Sequence, residues 1–288
     1  MEDITGSERG YLHERFRLFH SIDQVELKVD WHFHSFDKLV FFKSGHTEYA
    51  VEGRSFSLIP GDILVIGHGQ LHRMHSWPDQ PYERYILYLN SGYLKTLAPE
   101  AGGLGACFSR ARTAGKCLVR LKEGERSGAQ SLLSRMEKTL RDDSVYAPSL
   151  SQALLTELLI LLNRIPESTG ASHPEAPSDE KIASALYYIQ SHLGEDLSCD
   201  LLAERLQMSR SSFQHRFKQA TGRGPHAYIV MKRMIYAGEL LGAGTPAMKT
   251  GRLCGYSDHS AFCEAFSRQF GVPPSEYFSR NRLTGPDE

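Results

Sequence analysis

Apolar and polar positions alternate through residues 11 to 95 and switch to helical spacing further along the chain. Alternation rich in β-formers marks strands at Phe16 to Phe19, Val25 to Val29, Lys38 to Phe42, Glu48 to Val51, Phe56 to Ile59, Asp62 to Ile66 and Tyr85 to Leu89. Ser44-Gly45, Glu52-Gly53, Pro60-Gly61 and Gly67-His68-Gly69 punctuate them as turns. Many short strands at close spacing predict a small barrel or jelly roll. Residues 96 to 125, with Gly102-Gly103 and Gly105, carry no pattern that predicts an element. Two amphipathic helices follow. One spans Gly128 to Arg141, with Leu132, Leu133, Met136 and Leu140. The other spans Ser149 to Ile165, with Leu154, Leu155, Leu158, Leu159, Leu161 and Leu162. The second is apolar over more than half its circumference, wider than one packing face needs. Covering the barrel accounts for part of that face, and a second subunit's copy of the helix is the expected partner of the rest. Pro166 to Ser178 holds three prolines among Ser, Thr, Gly and Glu, and predicts an interdomain linker.

From residue 180 the pattern is helical. A helix over Glu180 to His192 opens the segment, and Leu197 to Gly222 predicts two short helices with a tight turn between them. Ser198 is placed to cap the first and Ser209 the second, because a serine hydroxyl accepts from a first-turn N–H. Leu201, Leu202, Ala203 and Leu206 give the first helix its apolar face, and Met208 is expected to be buried at the turn. Phe213 and Phe217, four apart, share the inner side of the second helix. Arg210, Ser211, Gln214, His215 and Lys218 then point outward, a set that suits base edges and phosphates in a major groove. On its own this is equally the solvated face of an ordinary helical hairpin. It recurs, however: Ser211 with Ser260, Phe213 with Phe262, Phe217 with Phe266 and Gly222 with Gly271 share one offset. A long helix over Gly224 to Leu241, with Arg233 on its polar side, is expected to join the two units. Two reading helices at fixed separation suit successive major grooves on one face of a duplex.

Composition narrows the class. With 288 residues and 41% hydrophobic content, two ordinary globular domains are expected. No apolar run is long enough to span a membrane, and Met-Glu-Asp-Ile-Thr does not read as a signal segment. The five cysteines, Cys107, Cys117, Cys199, Cys254 and Cys263, lack metal-type spacing and suit a reducing cytoplasm. Net charge is −1, and residues 179–288 carry 13 Lys plus Arg against 12 Asp plus Glu. Arg205, Arg210, Arg216 and Lys218 nevertheless cluster in sequence with Glu204 alone opposing them. Non-specific DNA affinity is therefore expected to be modest and set by a patch.

The segment Ser198 to Phe278 resembles the DNA-binding domain of the AraC/XylS family of bacterial transcription regulators. The resemblance runs through Leu-Ala-Glu-Arg-Leu-Gln-Met-Ser, Phe-Gln-His-Arg-Phe-Lys, Arg233 with Ala237 and Leu240-Leu241, Gly255-Tyr256-Ser257-Asp258, and Gly271-Val272-Pro273-Pro274-Ser275-Glu276-Tyr277. The order His-x-His, Gly45, Pro60-Gly61-Asp62 and His72 is similar to a cupin, the sensing domain such regulators carry. The resemblance implies an α+β multidomain protein. Residues 1–125 would form a cupin-like sensing barrel, 126–166 dimerisation helices, 167–178 a linker, and 179–285 an all-α domain of two helix-turn-helix units. It also implies a one-component regulator, an activator by expectation. Its partners would be double-stranded promoter DNA, a small-molecule effector, RNA polymerase and a second copy of the chain, in the cytoplasm and away from membranes.

Cupin metal sites need imidazoles and a carboxylate converging on one ion. His32, His34 and His72 supply the imidazole positions, but Lys38 stands where the glutamate is expected, and a charged ammonium cannot ligate. Asp37 should face the other side of its strand. No metal, no cofactor and no catalysis are therefore expected. His32, His34, Lys38, Tyr49, His72 and Trp77 are instead expected to line an effector pocket suited to a carboxylate, phosphate or polyhydroxyl group. The alternatives are a metal-dependent cupin enzyme with an appended helical module, and a DNA-binding dimer whose barrel senses nothing. The second helix-turn-helix unit departs from the family: Thr250-Gly251 replaces the usual Ile-Ala, and a helical glycine costs about 1 kcal/mol relative to alanine. Its outer face offers His259, Ser260, Glu264 and Arg268, with Glu264 opposite His215 and Ser267 opposite Lys218. The first unit is expected to carry most base discrimination, and the second mainly to hold backbone.

Overall fold

The computed structural model describes residues 9, 10, 12, 14–165 and 179–277. The proline-bearing segment expected as a linker lies outside them, as do Phe278 and the residues beyond it. The chain divides into two compact units between Ser178 and Asp179.

Among the described residues the first unit holds nine strands: β1 Phe16–Asp23, β2 Leu27–His32, β3 Asp37–Ser44, β4 His46–Val51, β5 Arg54–Ser57, β6 Asp62–Ile66, β7 His72–Trp77, β8 Tyr82–Leu89 and β9 Leu118–Arg120. They form two antiparallel sheets, ordered β1-β8-β3-β6-β9 and β2-β7-β4-β5. Residues directly opposite in an antiparallel pair share a face. The register Lys38↔Tyr88, Val40↔Ile86, Phe42↔Arg84 therefore defines one face of the five-stranded sheet, and Leu39↔Leu87, Phe41↔Tyr85 the other. A Tyr49–Tyr82 hydroxyl contact of 2.9 Å bridges β4 and β8, so the first of these faces lies between the sheets.

The stretch that sequence left blank is structured. Helix α1 Ser91–Thr96 precedes it, where strand pattern is expected, and the stretch itself contains a short 3₁₀ turn over Pro99–Ala101, α2 Ala106–Ala114 and β9. The helices α3 Glu123–Thr139 and α4 Ala147–Arg164 pack on the outer face of the five-stranded sheet, where Leu39, Phe41, Ile63, Tyr85 and Leu87 meet Leu133 and Leu158. Leu154, Leu155, Leu158, Leu159 and Leu162 are all buried there. The opposite side of α4 is Ser149, Gln152, Ala153, Thr156, Glu157 and Ile160, with Leu150 and Ile160 exposed. The apolar face left over is thus narrower than the leucine count suggests, because most of those leucines belong to the unit's own core.

Among the described residues the second unit is all helical: α5 Glu180–Ser191, α6 Cys199–Arg205, α7 Arg210–Thr221, α8 Pro225–Gly242, α9 Ala247–Leu253 and α10 His259–Phe270. Ser198 and Ser209 accept from the backbone N–H of Leu201 and Ser212 and cap α6 and α7, and Asp258 caps α10. The repeat is close. Both α7 and α10 bury a Phe pair, Phe213 with Phe217 and Phe262 with Phe266, and both end on a left-handed glycine, Gly222 at φ 72° and Gly271 at φ 71°. Two side chains differ from expectation. Leu201 is 40% exposed, because α6 turns only Leu202 and Ala203 fully inward, and Met208 is half-buried.

Thr250-Gly251 also reads differently in three dimensions. Thr250 is fully buried and its hydroxyl donates to the Thr245 carbonyl. A Cβ on Gly251 would lie 3.1 Å from Phe262 Cγ. The glycine therefore lets α10 approach α9 closely, and this packing offsets its poor helix propensity.

Candidate functional site

The exposed sides of α7 and α10 form the nucleic-acid candidate. Arg210, Ser211, Gln214, His215 and Lys218 are all exposed on α7, and His259, Ser260, Glu264 and Arg268 on α10. Burial of the Phe pairs fixes this: with two residues four apart locked inward, the remaining faces of each helix must point out. His259 Nε2 lies 3.5 Å from Cys263 Sγ on its own helix.

The basic patch is more nearly neutral than its sequence suggests. Arg210 bonds both oxygens of Asp200, at 3.0 and 3.3 Å. Arg216 forms a two-pronged pair with Asp179. Arg205 stacks on Tyr188, 4.0 Å from the ring centroid. Glu204 is therefore not the only opposing acid: Asp200 reaches the patch from α6, and Asp179 from thirty-seven positions before Arg216. Arg233, expected to be a polar-side residue, is a structural clamp. It donates from Nε to Leu193 O at 2.9 Å and from Nη2 to Glu195 O at 2.6 Å, and lies over Tyr256.

Within the barrel, three histidines converge. His32, His34 and His72 are buried, and one ring nitrogen from each lies within 4.8 Å of the others. Their ring centroids are 4.2 to 5.0 Å apart. Every Nδ1 meets a backbone carbonyl: His32 that of Asp30 at 2.7 Å, His72 that of Gln70 at 2.9 Å, and His34 that of Arg9. Burial, with the Lys38 ammonium nearby, pushes His34 down to about 3. Burial holds His32 down at about 4 despite its Asp30 hydrogen bond, and His72 well below the usual imidazole range. All three are neutral at physiological pH.

Lys38 is buried between the sheets, 6.0 Å from the Tyr88 ring centroid, and burial drops its amine to about 8. Tyr49 is buried on the same inner surface. Trp77 is not part of it. On β7 the inner positions are His72, Met74 and Ser76, while Trp77 stacks on His46 and His75 on the outer face. Strand alternation puts a residue five positions from His72 on the opposite side. Sequence reasoning missed Arg84, Tyr82, Tyr88 and Ser76, which share the inner surface. The signal is the alternation Tyr82, Arg84, Ile86, Tyr88, whose first two members lie before the strand expected at Tyr85 to Leu89. Asp37 points away from Lys38, 2% exposed, and accepts from His68 N at 2.8 Å and Ser91 Oγ at 2.7 Å, with Arg112 at 3.4 Å.

Known proteins divide along the same boundary. The description "AraC-like ligand binding domain" matches residues 19–159, and "Helix-turn-helix domain" matches 202–280. The probable transcriptional regulator LumQ of Photobacterium leiognathi is 24% identical over 262 residues, covering 89% of this chain and 94% of LumQ. The HTH-type transcriptional activator RhaR of Yersinia pseudotuberculosis is 23% identical over 255 residues, covering 86% of this chain and 84% of RhaR. Among solved structures, the DNA-binding domain of AdpA in complex with a target DNA is 29% identical, covers 37% of this chain and 96% of that one, and has a TM-score of 0.35. No helix among the described residues is long and apolar enough to cross a membrane. The chain belongs to the AraC family of DNA-binding transcription regulators, with a ligand-binding domain followed by a helix-turn-helix domain.

Proposed function

We propose that this regulator is a cytoplasmic, non-catalytic activator that reads promoter DNA with α7 and α10 and engages RNA polymerase there. The observation that carries the DNA reading is the repeated geometry. Two helices of twelve residues, each anchored by an inward Phe pair, turn polar side chains outward. Reading is asymmetric. Ser211, Gln214 and His215 on α7 discriminate bases, because an amide can bond an adenine edge bidentately and the others have donors to spare. His259, Ser260 and Arg268 on α10 hold backbone, while Glu264 repels phosphate.

A small molecule held between the sheets biases the regulator's arrangement on DNA as a population shift. Lys38, Tyr49 and the three histidines line its site, and Arg84 and Tyr88 share their surface. The exposed Leu150 and Ile160 on the outer side of α4 are the dimer contact, which places two DNA-binding domains on repeated half-sites.

A binding assay over single-base operator variants tests the asymmetry. Gln214→Ala should relax specificity at one position by about 1–3 kcal/mol. Equal or larger losses of discrimination from His259→Ala or Glu264→Ala would refute it.

A further inference from the structure

We propose that the sensing unit holds a divalent transition-metal ion on His32, His34 and His72. The argument is about which ring nitrogens are free. Each Nδ1 sits against a backbone carbonyl, which can only accept, so each Nδ1 carries the proton and each Nε2 carries a lone pair. An imidazole held through its other nitrogen by a carbonyl is the arrangement of metal-ligating histidines. The Nε2 atoms of His34 and His72 are buried without a hydrogen-bond partner. Buried polar atoms are normally satisfied, so two orphans in one cluster indicate an absent binder.

The chemistry of that binder follows. Three converging acceptors repel the oxygens of a carboxylate or phosphate, which also only accept. One water has two protons and leaves the third nitrogen unsatisfied. A metal cation satisfies all three lone pairs, after the rings close from within 4.8 Å to the separations that N–metal bonds of about 2.0–2.1 Å require. An all-imidazole set selects Zn²⁺, Co²⁺, Ni²⁺, Cu²⁺ or Fe²⁺ over Mg²⁺ and Ca²⁺. Lys38 does not ligate. Its ammonium adds positive charge beside all three rings, and so weakens the site without blocking it. The inference stands independently of DNA binding and of any organic effector.

Full-length protein stripped with chelator and titrated with Co²⁺ tests it, read by visible ligand-field absorption and by the melting temperature. One saturable equivalent per chain is expected. Zn²⁺ should abolish the absorption, Mg²⁺ should have no effect, and the metal should raise the melting temperature. His34→Gln should weaken binding by at least about tenfold. Lys38→Gln should tighten it severalfold, since removing a unit charge beside a divalent ion relieves a repulsion. The Lys38→Gln arm decides alone if His34→Gln does not fold. The outer-face variant His46→Ala/His75→Ala should bind as the parent does. The proposal is overturned by no saturable Co²⁺ binding, by affinity unchanged in Lys38→Gln, or by binding lost in the outer-face variant.

Discussion

Gly255 is where a single methyl group should do most damage to the DNA-binding unit. It sits in the turn between α9 and α10 at φ +78°. An L side chain there costs about 1–2 kcal/mol from backbone sterics alone. A Cβ would also lie 2.6 Å from Arg233 Nη2 and 3.0 Å from Leu193 O. The guanidinium would have to move, and with it at least one of its two carbonyl hydrogen bonds, each worth about 1.5 kcal/mol at the low end for a charged donor. The sum is about 2–4 kcal/mol, a large share of the roughly 5–15 kcal/mol that holds a domain together. Gly271→Ala supplies the control. It has nearly the same angle, φ +71°, but open space where its Cβ would stand, so it isolates the backbone part at about 1–2 kcal/mol. Urea unfolding of the full chain, followed through the DNA-binding unit's transition, measures both. If Gly255→Ala loses no more stability than Gly271→Ala, the Arg233 clamp is not holding that turn and the reasoning fails.

Three further expectations follow from the same contacts. Gly251→Ala should not deliver the roughly 1 kcal/mol gain that helix propensity offers, because its Cβ would press on Phe262, which has no room to yield; a clear rise in unfolding midpoint would contradict this. Asp200→Asn releases Arg210 and should strengthen non-specific DNA binding severalfold, with a log–log salt slope steeper by up to about 1; an unchanged slope would show that Arg210 does not reach phosphate. Asp37 is pushed up by burial, but hydrogen bonds from His68 and attraction to Arg112 outweigh this and hold its carboxyl below the ordinary range. Its folded pKa being depressed, its contribution is complete above about pH 4 and fades as pH falls further, so Asp37→Asn should destabilise the sensing unit near neutral pH and flatten its acid-unfolding curve.

Much of this architecture was legible because apolar spacing fixes which face of an element turns inward. Phe213 with Phe217, and their repeat at Phe262 with Phe266, place both α7 and α10 and their outer faces. The seven expected strands all lie in or against real ones. Strand β7 was not legible, since its inner positions His72 and Ser76 are polar and its outer Trp77 is aromatic, which inverts the usual alternation. Helix α2 was hidden by its length and by glycines at both ends, with only Cys107, Phe108 and Ala111 facing inward. The charge of the candidate DNA face escapes a local reading for a different reason. Asp179 pairs with Arg216 across thirty-seven positions, and no local window contains both. Thr250-Gly251 looked like a weakness on a one-dimensional propensity scale, yet Gly251 is what lets α10 lie close to α9. Among the barrel histidines, the carbonyls of Asp30 and Gln70 lie two positions from His32 and His72, but the Arg9 carbonyl that meets His34 comes from twenty-five positions away, outside any local window.

Selection of bound DNA from a random pool by the purified full chain tests the central claim most directly. The recovered sequences should show two sub-motifs about one helical turn apart on one face of the duplex, the information concentrated in one of them, and that one should blur when Gln214 is replaced by alanine. Recovery of no enriched sequence at low salt, or of a motif that Gln214→Ala leaves untouched, would contradict it.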